Sequence, residues 1–381
     1  MKKVAFVAPT YPVLSETFIQ TEVDAIKACG HDVCVMTFSI ENSEKQFDYD
    51  ILEIGKKVQL GQITHINWLG VIKAVSFIAR QSSMPRKSLF AYGFKLALQL
   101  AEKEIDHVHA HFCQHTTAHA IVAAKLLNIT CSFVAHGHDV YEFAYDIEQK
   151  IRSSDFVVTV CQDMQADFNH MTRGNIKLLH CGVNTQQFRL QPKNETKQLR
   201  FIFLGRLVEQ KGIHLLIDAL APIAKPLDIH LDIIGAGELE KALKLQVKQQ
   251  GLTHNVTFLS AKPHQWVKEK LSNYDCLIAP FCFSETGCVD TGPLVLKEAM
   301  AVGTPVITTN IMGCKEIVSP ETGFVVSEKN VDELREAIER FTQLSSDDKT
   351  EMRLKARQRV TQYFNSLKQA QQLSQWIENP T

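Results

Sequence analysis

Short apolar runs alternate with helical patterns along the whole of this sequence. The runs are rich in Val, Ile and Phe, and each is followed by a longer segment with helical periodicity. This order predicts parallel β-sheets with helices on both faces. The predicted strands of the first half are 4–8, 31–38, 107–110, 132–135, 156–160 and 176–179, and those of the second half are 200–204, 230–234, 256–259, 276–279 and 305–308.

A polar stretch with a proline separates the two sets of strands and predicts a linker at 189–198. A chain of 381 residues is long enough for two domains. We therefore predict an α/β protein of two doubly wound, Rossmann-like domains that face each other across a cleft. The first domain is predicted to cover 1–188 and the second 199–360. Ligands of such folds bind at the carboxyl ends of the strands.

Charge and cysteine content exclude several classes of function. A net charge of −1 argues against nucleic acid as a partner. The ten cysteines form no Cys-x-x-Cys pair, and we find neither a signal peptide nor an apolar run long enough to span a bilayer. We therefore expect a reducing, cytoplasmic compartment.

The stretch 288–302 predicts a loop that turns into a helix at Pro293, because a Gly-Pro pair opens an Ala/Leu/Met-rich run. The first backbone N–H groups of such a helix attract phosphate. Asp290 lies just before the helix, and Glu298 lies roughly 8 Å along its axis beyond Pro293, at ~1.5 Å per residue. This layout suits a nucleotide-sugar, which has a diphosphate between two polyols. Alternatively, Asp290 only caps the helix and Glu298 is a solvated charge.

Two cations, Arg206 and Lys211, follow the predicted strand that ends near Gly205. A planar guanidinium and a mobile ammonium are a common pair of diphosphate ligands, and a surface salt bridge is the other interpretation. The turn at Gly235-Ala-Gly237 lacks the third glycine of a dinucleotide-binding fingerprint, which argues against NAD.

Histidines cluster at 107–119. On a strand, His107, His109 and His111 would share one face and could ligate zinc, but no acidic or cysteine ligand follows at a familiar spacing. We therefore predict no metal. Near 133–139 a strand enters a tight turn, where His136 can donate a hydrogen bond to a sugar or a developing charge. Alternatively, His136 only caps the turn or is hydrogen-bonded within the protein.

Residues 54–101 contain seven Lys or Arg and no Asp or Glu, with aromatic and aliphatic residues between them. This composition suits an anionic membrane surface, which would make the protein peripheral on the inner face of the cytoplasmic membrane. Alternatively, the apolar stripe faces the domain core and the cations are merely solvated.

Several motifs resemble those of the family 4 (group 1) glycosyltransferases. Asp290-x7-Glu298 is similar to the Glu-x7-Glu signature of that family, and Gly205-Arg-Leu-x-x-x-Lys211-Gly is similar to its Gly-Arg-Leu-x-x-x-Lys-Gly motif. The segments His109-Ala-His111-Phe and His136-Gly-x-Asp139 also match family elements. The resemblance implies the two-domain GT-B fold, with a C-terminal helix at 361–381 that packs back on the first domain.

The resemblance also implies roles for individual residues. Asp290 and His136 contact the donor sugar, Arg206 and Lys211 stabilise the leaving diphosphate, and Glu298 holds the ribose. These roles make His136, Asp290, Arg206 and Lys211 the implied catalytic residues. Asp290 is one methylene shorter than the usual Glu, which affects sugar selectivity. The remaining residues implied to line the nucleotide-sugar site are Gly205, Gly237, Lys262, Gly292, Pro293, Leu294 and Val295.

The loop at 9–18 is similar to that of polysaccharide-assembling members of the family, in which it faces the acceptor. Ser15, Glu16 and Thr17 are therefore acceptor-side candidates, although Ser15 is also a plausible helix cap. His111 is implied to line the cleft, and Asp139 either faces the acceptor or caps a helix.

The predicted function is a retaining, metal-independent glycosyltransferase that needs no cofactor. It moves a sugar from a nucleotide-diphosphate donor to a glycan or lipid-linked acceptor of a cell-surface polysaccharide, such as a capsule, an exopolysaccharide or an O-antigen. Three alternatives stay open: a nucleotide-sugar epimerase or hydrolase of the same fold, a non-catalytic nucleotide-sugar- or glycan-binding protein, and a metallohydrolase built on the histidine cluster.

Overall fold

The chain forms two units in the computed structural model, which describes residues 1–13, 16–41, 46–191 and 198–380. The first unit combines Met1–Cys181 with Ser366–Thr381, and the second is Gly182–Asn365. Each has one parallel sheet with helices on both faces, which confirms the predicted α/β class with two Rossmann-like domains. Ser15 and most of the predicted linker lie outside the described residues.

The first unit is built on a seven-stranded sheet in the order β3-β2-β1-β4-β5-β6-β7. Its strands are β1 (Lys3–Tyr11), β2 (Asp32–Ile40), β3 (Asp50–Glu53), β4 (His107–His111), β5 (Thr130–Val134), β6 (Phe156–Thr159) and β7 (Ile176–Leu178). Its helices are α1 (Thr17–Ala28), α2 (Trp68–Ala79), α3 (Arg86–Glu102), α4 (His115–Leu127), α5 (Ile147–Ser153), α6 (Gln162–Met171) and α14 (Ser366–Glu378).

The second unit is built on a six-stranded sheet in the order β10-β9-β8-β11-β12-β13. Its strands are β8 (Leu199–Leu204), β9 (Ile229–Ile234), β10 (Val256–Leu259), β11 (Cys276–Ala279), β12 (Val306–Thr309) and β13 (Gly323–Val326). Its helices are α7 (Ile213–Leu220), α8 (Glu240–Gln249), α9 (His264–Lys270), α10 (Leu294–Ala301), α11 (Cys314–Ile317), α12 (Val331–Gln343) and α13 (Ser346–Tyr363).

Both sheets reverse their strand order once, and this reversal determines where loops separate. In the first sheet the reversal lies between β1 and β4, and in the second between β8 and β11. The connections after the two strands at such a point run to opposite faces of the sheet, which leaves a crevice at the carboxyl edge. The second unit therefore has a crevice between the loops that follow Leu204 and Ala279.

The terminal helix α14 belongs to the first unit and packs against α1. The Nζ atom of Lys2 donates a hydrogen bond to the carbonyl of Ile377 at 2.7 Å, and the N-terminal ammonium lies 3.0 Å from Glu378. After α12 and α13 of the second unit, the chain thus returns with α14 to the unit in which it began.

The unit boundary differs from the predicted end of the first domain at 188. Residues 182–188 belong to the second unit because they are tied to the end of α13. The backbone N–H of Val183 donates to the carbonyl of Phe364 at 2.8 Å, and Arg357 Nη2 donates to the carbonyl of Thr185 at 2.9 Å. These bonds join positions far apart in sequence, and local composition does not reveal them.

The sequence missed one edge strand of each sheet, β3 and β13. β3 has no buried residue, and only the first and last residues of β13 are buried, so neither has the run of buried apolar residues that marks a central strand. Helix α10 begins at Leu294, with Pro293 just before it at φ −60° and ψ 124°, one residue later than predicted. Among the described residues, no helix has the length and apolar character needed to cross a bilayer.

Candidate functional site

The loops after β8 and β11 meet at the carboxyl edge of the second sheet. Gly212 ends the first loop with φ +65°, and a Cβ on this residue would lie 1.9 Å from the carbonyl oxygen of Pro280. Only glycine fits this backbone contact and this positive φ. The backbone N–H of Cys282 donates to the carbonyl of Gln210 at 3.0 Å, which fixes the second loop against the first.

A lysine and an aspartate from these two loops form an ion pair. The Nζ atom of Lys211 donates to Oδ1 of Asp290 at 2.8 Å and lies 4.9 Å from the centroid of the Phe281 ring. The two side chains are only 13% and 22% exposed, so water screens the pair weakly. The other carboxylate oxygen of Asp290, Oδ2, is buried and has no hydrogen-bond partner among the described residues. It is therefore available to accept a hydrogen bond from a ligand hydroxyl.

Arg206 lies at the start of the same loop and is exposed to solvent. Within the described ranges, its guanidinium has no ion-pair partner. Its neighbour Leu207 donates its backbone N–H to the carbonyl of Ala236 at 2.9 Å, so the glycine turn after β9 lies beside it. A Cβ on Gly237 would lie 2.4 Å from the Leu207 carbonyl oxygen, which explains the glycine there. The loop thus offers a guanidinium with open hydrogen-bonding capacity.

The first turn of α10 completes this side of the site. Asp290 lies three residues before Pro293, and no described side chain caps the N–H groups that follow Pro293. Lys297, one turn into the helix, is fully buried and donates from Nζ to the carbonyl of Gly292 at 3.2 Å. Sequence reasoning missed Lys297. The sequence signal for this residue is a lysine that interrupts the apolar start of a predicted helix.

The second acid of the stretch lies on α10 and faces a different loop. Nε2 of His264 is 3.0 Å from Oε1 of Glu298, whose residue is 8% exposed. His264 begins α9, directly after the loop that carries the half-buried Lys262. The structure therefore brings Glu298 close to the predicted base-contacting loop. Sequence reasoning also missed His264, because nothing in the local pattern pairs it with a residue 34 positions away.

Two cations, uncapped N–H groups and a carboxylate oxygen without a partner thus share one edge of the second sheet. Cations and backbone N–H groups bind phosphate oxygens, and carboxylates accept hydrogen bonds from hydroxyls. Such a set can bind a diphosphate that carries a hydroxyl-rich group. Of the predicted residues, the structure brings Lys211 and Asp290 into direct contact and places Gly205 and Gly237 beside Arg206.

The histidines of β4 have several kinds of partner in the first unit. Both ring nitrogens of His107 lie 2.7 Å from hydroxyls of β5, those of Thr130 and Ser132. Nε2 of His109 and Nε2 of His111 instead approach Glu22 Oε1, at 3.3 and 3.4 Å. Glu22 lies on α1 and is the acidic neighbour that the local sequence did not supply.

Glu22, His109 and His111 offer ligand atoms that all lie within 4.8 Å of one another. Burial alone raises the pKa of the Glu22 carboxyl, but the two imidazoles outweigh it and hold the pKa well below its ordinary value. A carboxylate that faces two imidazoles accounts for this arrangement, and imidazole with carboxylate is also a ligand set suited to zinc. The absence of a metal therefore stays a prediction.

His111, which the family resemblance implied to line the cleft, is buried inside the first unit. Its residue is 0% exposed, because β4 lies in the middle of the sheet and both faces are covered. Its ring stacks on that of His136, with 5.8 Å between centroids. His111 therefore supports His136 from within the unit.

His136 and Asp139 lie in the turn after β5. The ring of His136 packs on Phe18, with 4.5 Å between the centroids, and its Nε2 is buried without a hydrogen-bond partner among the described residues. Burial and the nearby His111 lower the pKa of His136 to about 3, so the ring is neutral at pH 7. A neutral ring can donate a hydrogen bond, but it adds no positive charge.

Asp139 is fully buried, and burial raises its pKa to about 6. Its carboxylate accepts the backbone N–H of Cys113 at 2.6 Å and that of His136 at 2.9 Å. Of the two roles left open for Asp139, the structural one fits this environment, since both oxygens are occupied. Of the acceptor-side candidates, Glu16 directly precedes α1 and Thr17 begins it.

We expect the first unit to lose stability in mild acid through His119. This residue is 4% exposed and lies against Phe38, and burial lowers its pKa to about 4. The unfolded chain binds a proton near pH 6.5 and the folded chain does not. The contribution of His119 to the free energy of unfolding therefore falls by roughly 1.4 kcal/mol per pH unit as the pH drops from 6.5 toward 4, and His136 acts in the same direction in wild type and variant.

Denaturant unfolding of wild type and His119→Gln at pH 7, 6 and 5 measures this effect. We expect the slope of stability against pH to differ between the two by about one proton. Asp139 acts in the opposite direction in both proteins, because its raised pKa stabilises the fold below pH 3.8 and this stabilisation is lost as the pH rises through about 6. Equal slopes of stability against pH in wild type and His119→Gln would contradict the lowered pKa of His119.

Two protein-family models match consecutive parts of the chain. The model described as Glycosyltransferase Family 4 matches residues 15–187, and the model described as Glycosyl transferases group 1 matches residues 184–361. Their junction lies within a few residues of the boundary between the two units.

Curated relatives cover almost the whole chain at low identity. The putative colanic acid biosynthesis glycosyltransferase WcaL of Salmonella typhimurium is 24% identical, over 99% of this chain and 99% of its own. The amylovoran biosynthesis glycosyltransferase AmsK of Erwinia amylovora is also 24% identical, over 99% of both chains.

Solved structures share the fold. Anabaena Alr3699/HepE in complex with UDP-glucose superimposes with a TM-score of 0.74, 17% identity, and coverage of 99% of this chain and 100% of its own. The sucrose-phosphate synthase of Thermosynechococcus elongatus gives a TM-score of 0.72 with 18% identity and coverage of 99% and 98%. At these identities the similarity shows the fold alone, which is the GT-B arrangement of two Rossmann-like domains.

Proposed function

Because the chain belongs to the group 1 and family 4 glycosyltransferases, we propose that it transfers a sugar from a nucleotide-diphosphate donor, with retention of configuration, to an acceptor of cell-surface polysaccharide synthesis. The second unit binds the donor in this proposal. The observation that carries it is the Lys211–Asp290 pair at the reversal of the second sheet, with Asp290 Oδ2 buried and without a partner.

The diphosphate is proposed to lie between Arg206, Lys211 and the first turn of α10. When the bond between the sugar carbon C1 and the phosphate oxygen breaks, negative charge develops on the departing diphosphate. Fixed cations and N–H groups stabilise that charge more in the transition state than in the ground state, which accelerates the reaction. The acceptor oxygen then bonds to C1 on the same face, and its proton passes to the departing phosphate oxygen.

The two acids are proposed to hold the groups on either side of the diphosphate. Asp290 accepts a hydrogen bond from the donor sugar through Oδ2, and Glu298 accepts hydrogen bonds from the ribose. Ribose binding then competes with His264 for Glu298, whereas Asp290 can bind the sugar through Oδ2 while Oδ1 keeps Lys211. His136, neutral and with Nε2 unpaired among the described residues, is proposed to donate to the sugar.

The first donor class to test is a UDP-sugar. The structures of HepE are complexes with UDP and with UDP-glucose, and Staphylococcus aureus TarM was solved with UDP. We propose the same nucleotide here. The names of the 24% identical relatives refer to colanic acid and amylovoran, which supports a glycan acceptor, and we propose one that is lipid-linked and reached at the cytoplasmic membrane.

A thermal-shift screen against a panel of nucleotide-sugars tests the donor, because a ligand that binds the folded state raises the melting temperature by mass action. We expect one nucleotide class to raise it and unrelated nucleotides to leave it unchanged. Product analysis with and without a glycan acceptor then tests transfer. Turnover of the donor alone would favour an epimerase or hydrolase, and binding without any turnover would favour a binding protein.

Removal of metal ions is expected to leave the transfer rate unchanged, because Arg206 and Lys211 supply the positive charge that a divalent cation would otherwise provide. The measurement is the initial rate before and after dialysis against EDTA, with zinc analysis of the same protein samples. A rate that falls with EDTA and returns with Mg²⁺ would contradict the proposal. Stoichiometric zinc lost on replacing Glu22 with Gln would instead assign a metal to the buried histidine group.

A further inference from the structure

Helix α2 carries an apolar face that the fold leaves uncovered. Its exposed residues include Trp68, Leu69, Ile72 and Val75, which are 84%, 69%, 66% and 51% exposed. At 100° per residue, Trp68, Ile72 and Val75 project from one side of the helix. Four large apolar side chains within two turns form a contiguous patch, which soluble proteins rarely expose without a partner.

The opposite face of α2 is fixed against the domain, so the outward direction of the patch is well defined. Gly70, Ala74, Phe77 and Ile78 are buried, and α2 packs on α4. A Cβ on Gly70 would lie 2.0 Å from the carbonyl oxygen of Lys125 on α4. One stripe of α2 therefore faces the core, and a second stripe faces solvent.

The surroundings of this outward face are basic. Lys73 and Arg80 lie on its flank, and within the part of the chain that the structure describes neither has an ion-pair partner. The start of α3 adds Arg86, whose Nη2 donates to the carbonyl of Ala79 at 3.0 Å, and the exposed Lys87. The nearby acid, Asp146, is held by the N–H and hydroxyl groups of Ser82 and Ser83.

We infer that the outward face of α2 is a membrane-docking surface whose partner is the anionic headgroup region of a lipid bilayer. Trp68, Leu69, Ile72 and Val75 enter the interface between headgroups and acyl chains, while Lys73, Arg80 and Lys87 remain at the level of the lipid phosphates. Charge selects this occupant, because the four cations Lys73, Arg80, Arg86 and Lys87 outnumber the one nearby acid, Asp146, and this basic flank complements anionic lipid and repels a second copy of itself. Its use in presenting a lipid-linked acceptor rests on the proposed function.

Vesicle flotation with the full-length protein tests the inference. We expect wild type to float with vesicles that contain phosphatidylglycerol and to bind phosphatidylcholine vesicles much more weakly. The double variant Trp68→Ser/Ile72→Ser is expected to lower the partition coefficient at least tenfold, since each removes an apolar side chain from the interface. Lys73→Gln/Arg80→Gln is expected to lower binding to anionic vesicles about fivefold per charge and to leave binding to phosphatidylcholine unchanged.

The matched controls are Leu245→Ser and Leu354→Ser in the second unit, where the leucines are 55% and 53% exposed. They are expected to float as wild type does. The inference is overturned if wild type does not bind anionic vesicles, or if the Trp68/Ile72 variant binds them equally well. A dimer in sedimentation that the same variant dissociates would also overturn it and assign the face to self-association.

Nucleotide-sugar binding by thermal shift, measured on the same variants, separates the two proposals. We expect the shift to be unchanged in the α2 variants. If the protein binds vesicles but no nucleotide-sugar raises its melting temperature, the docking surface is supported and the proposed function is contradicted. If a nucleotide-sugar raises the melting temperature but the protein does not bind vesicles, the proposed function is supported and the docking surface is contradicted.

Discussion

Replacement of Arg206 with alanine is expected to lower the rate of sugar transfer by on the order of 100-fold or more, the typical effect of losing one preorganised donor to a developing charge. Arg206 is exposed, so its removal leaves no cavity and the fold should be retained. The loss should appear in kcat, because the charge on the diphosphate grows most in the transition state. Steady-state kinetics with the donor and a glycan acceptor measure it.

Two further variants make this result specific. Arg206→Lys keeps the charge but loses the planar fork, and we expect a smaller loss than with alanine. Arg335→Ala removes a charge on α12, where the guanidinium pairs with Asp332 at 2.7 Å, and should leave transfer unchanged. Full activity in Arg206→Ala would remove Arg206 from the mechanism.

The second large effect is expected from Asp290→Asn, which should act in opposite directions on transfer and on nucleotide binding. Without the carboxylate, the charge of Lys211 is no longer offset by a partly buried ion pair at 2.8 Å, and the repulsion between Asp290 and the diphosphate is removed. We expect affinity for UDP, measured by calorimetry, to rise about tenfold, which corresponds to ~1.4 kcal/mol. We expect transfer to fall about 100-fold, because the sugar loses a charged acceptor.

Asp290→Glu is the matched control, since it keeps the charge and introduces the residue usual at this position in the family. It should retain the pair with Lys211 and leave UDP affinity close to that of wild type. A double-mutant cycle with Lys211→Met isolates the coupling between the two side chains. Weaker UDP binding in Asp290→Asn would contradict the idea that the pair opposes nucleotide binding.

The sequence predicted each central strand of both sheets, because a strand buried on both faces needs a continuous run of apolar residues and this run is local. It also predicted the α10 stretch to within one residue at its start. It missed β3 and β13, which lie at the edges of their sheets and lack a run of buried apolar residues.

The partners of the site residues could not be predicted in this way. Lys211 and Asp290 are 79 positions apart, and they meet because β8 and β11 are neighbours across the reversal of strand order. Glu22 reaches the histidines of β4 from α1, and His264 reaches Glu298 from the start of α9. Periodicity describes which face of an element a residue occupies, whereas these contacts depend on which elements the sheet places side by side.

The sequence by itself determined the class of fold, the two-domain organisation and the residues that resemble a glycosyltransferase donor site. These follow from local apolar patterns and from short motifs, each contained in one stretch of chain. The tertiary structure alone decided that Lys211 is paired with Asp290, that His111 is buried and that one face of α2 stays uncovered. Burial and pairing are set by strand order and helix packing, which bring together residues that no single stretch of sequence connects.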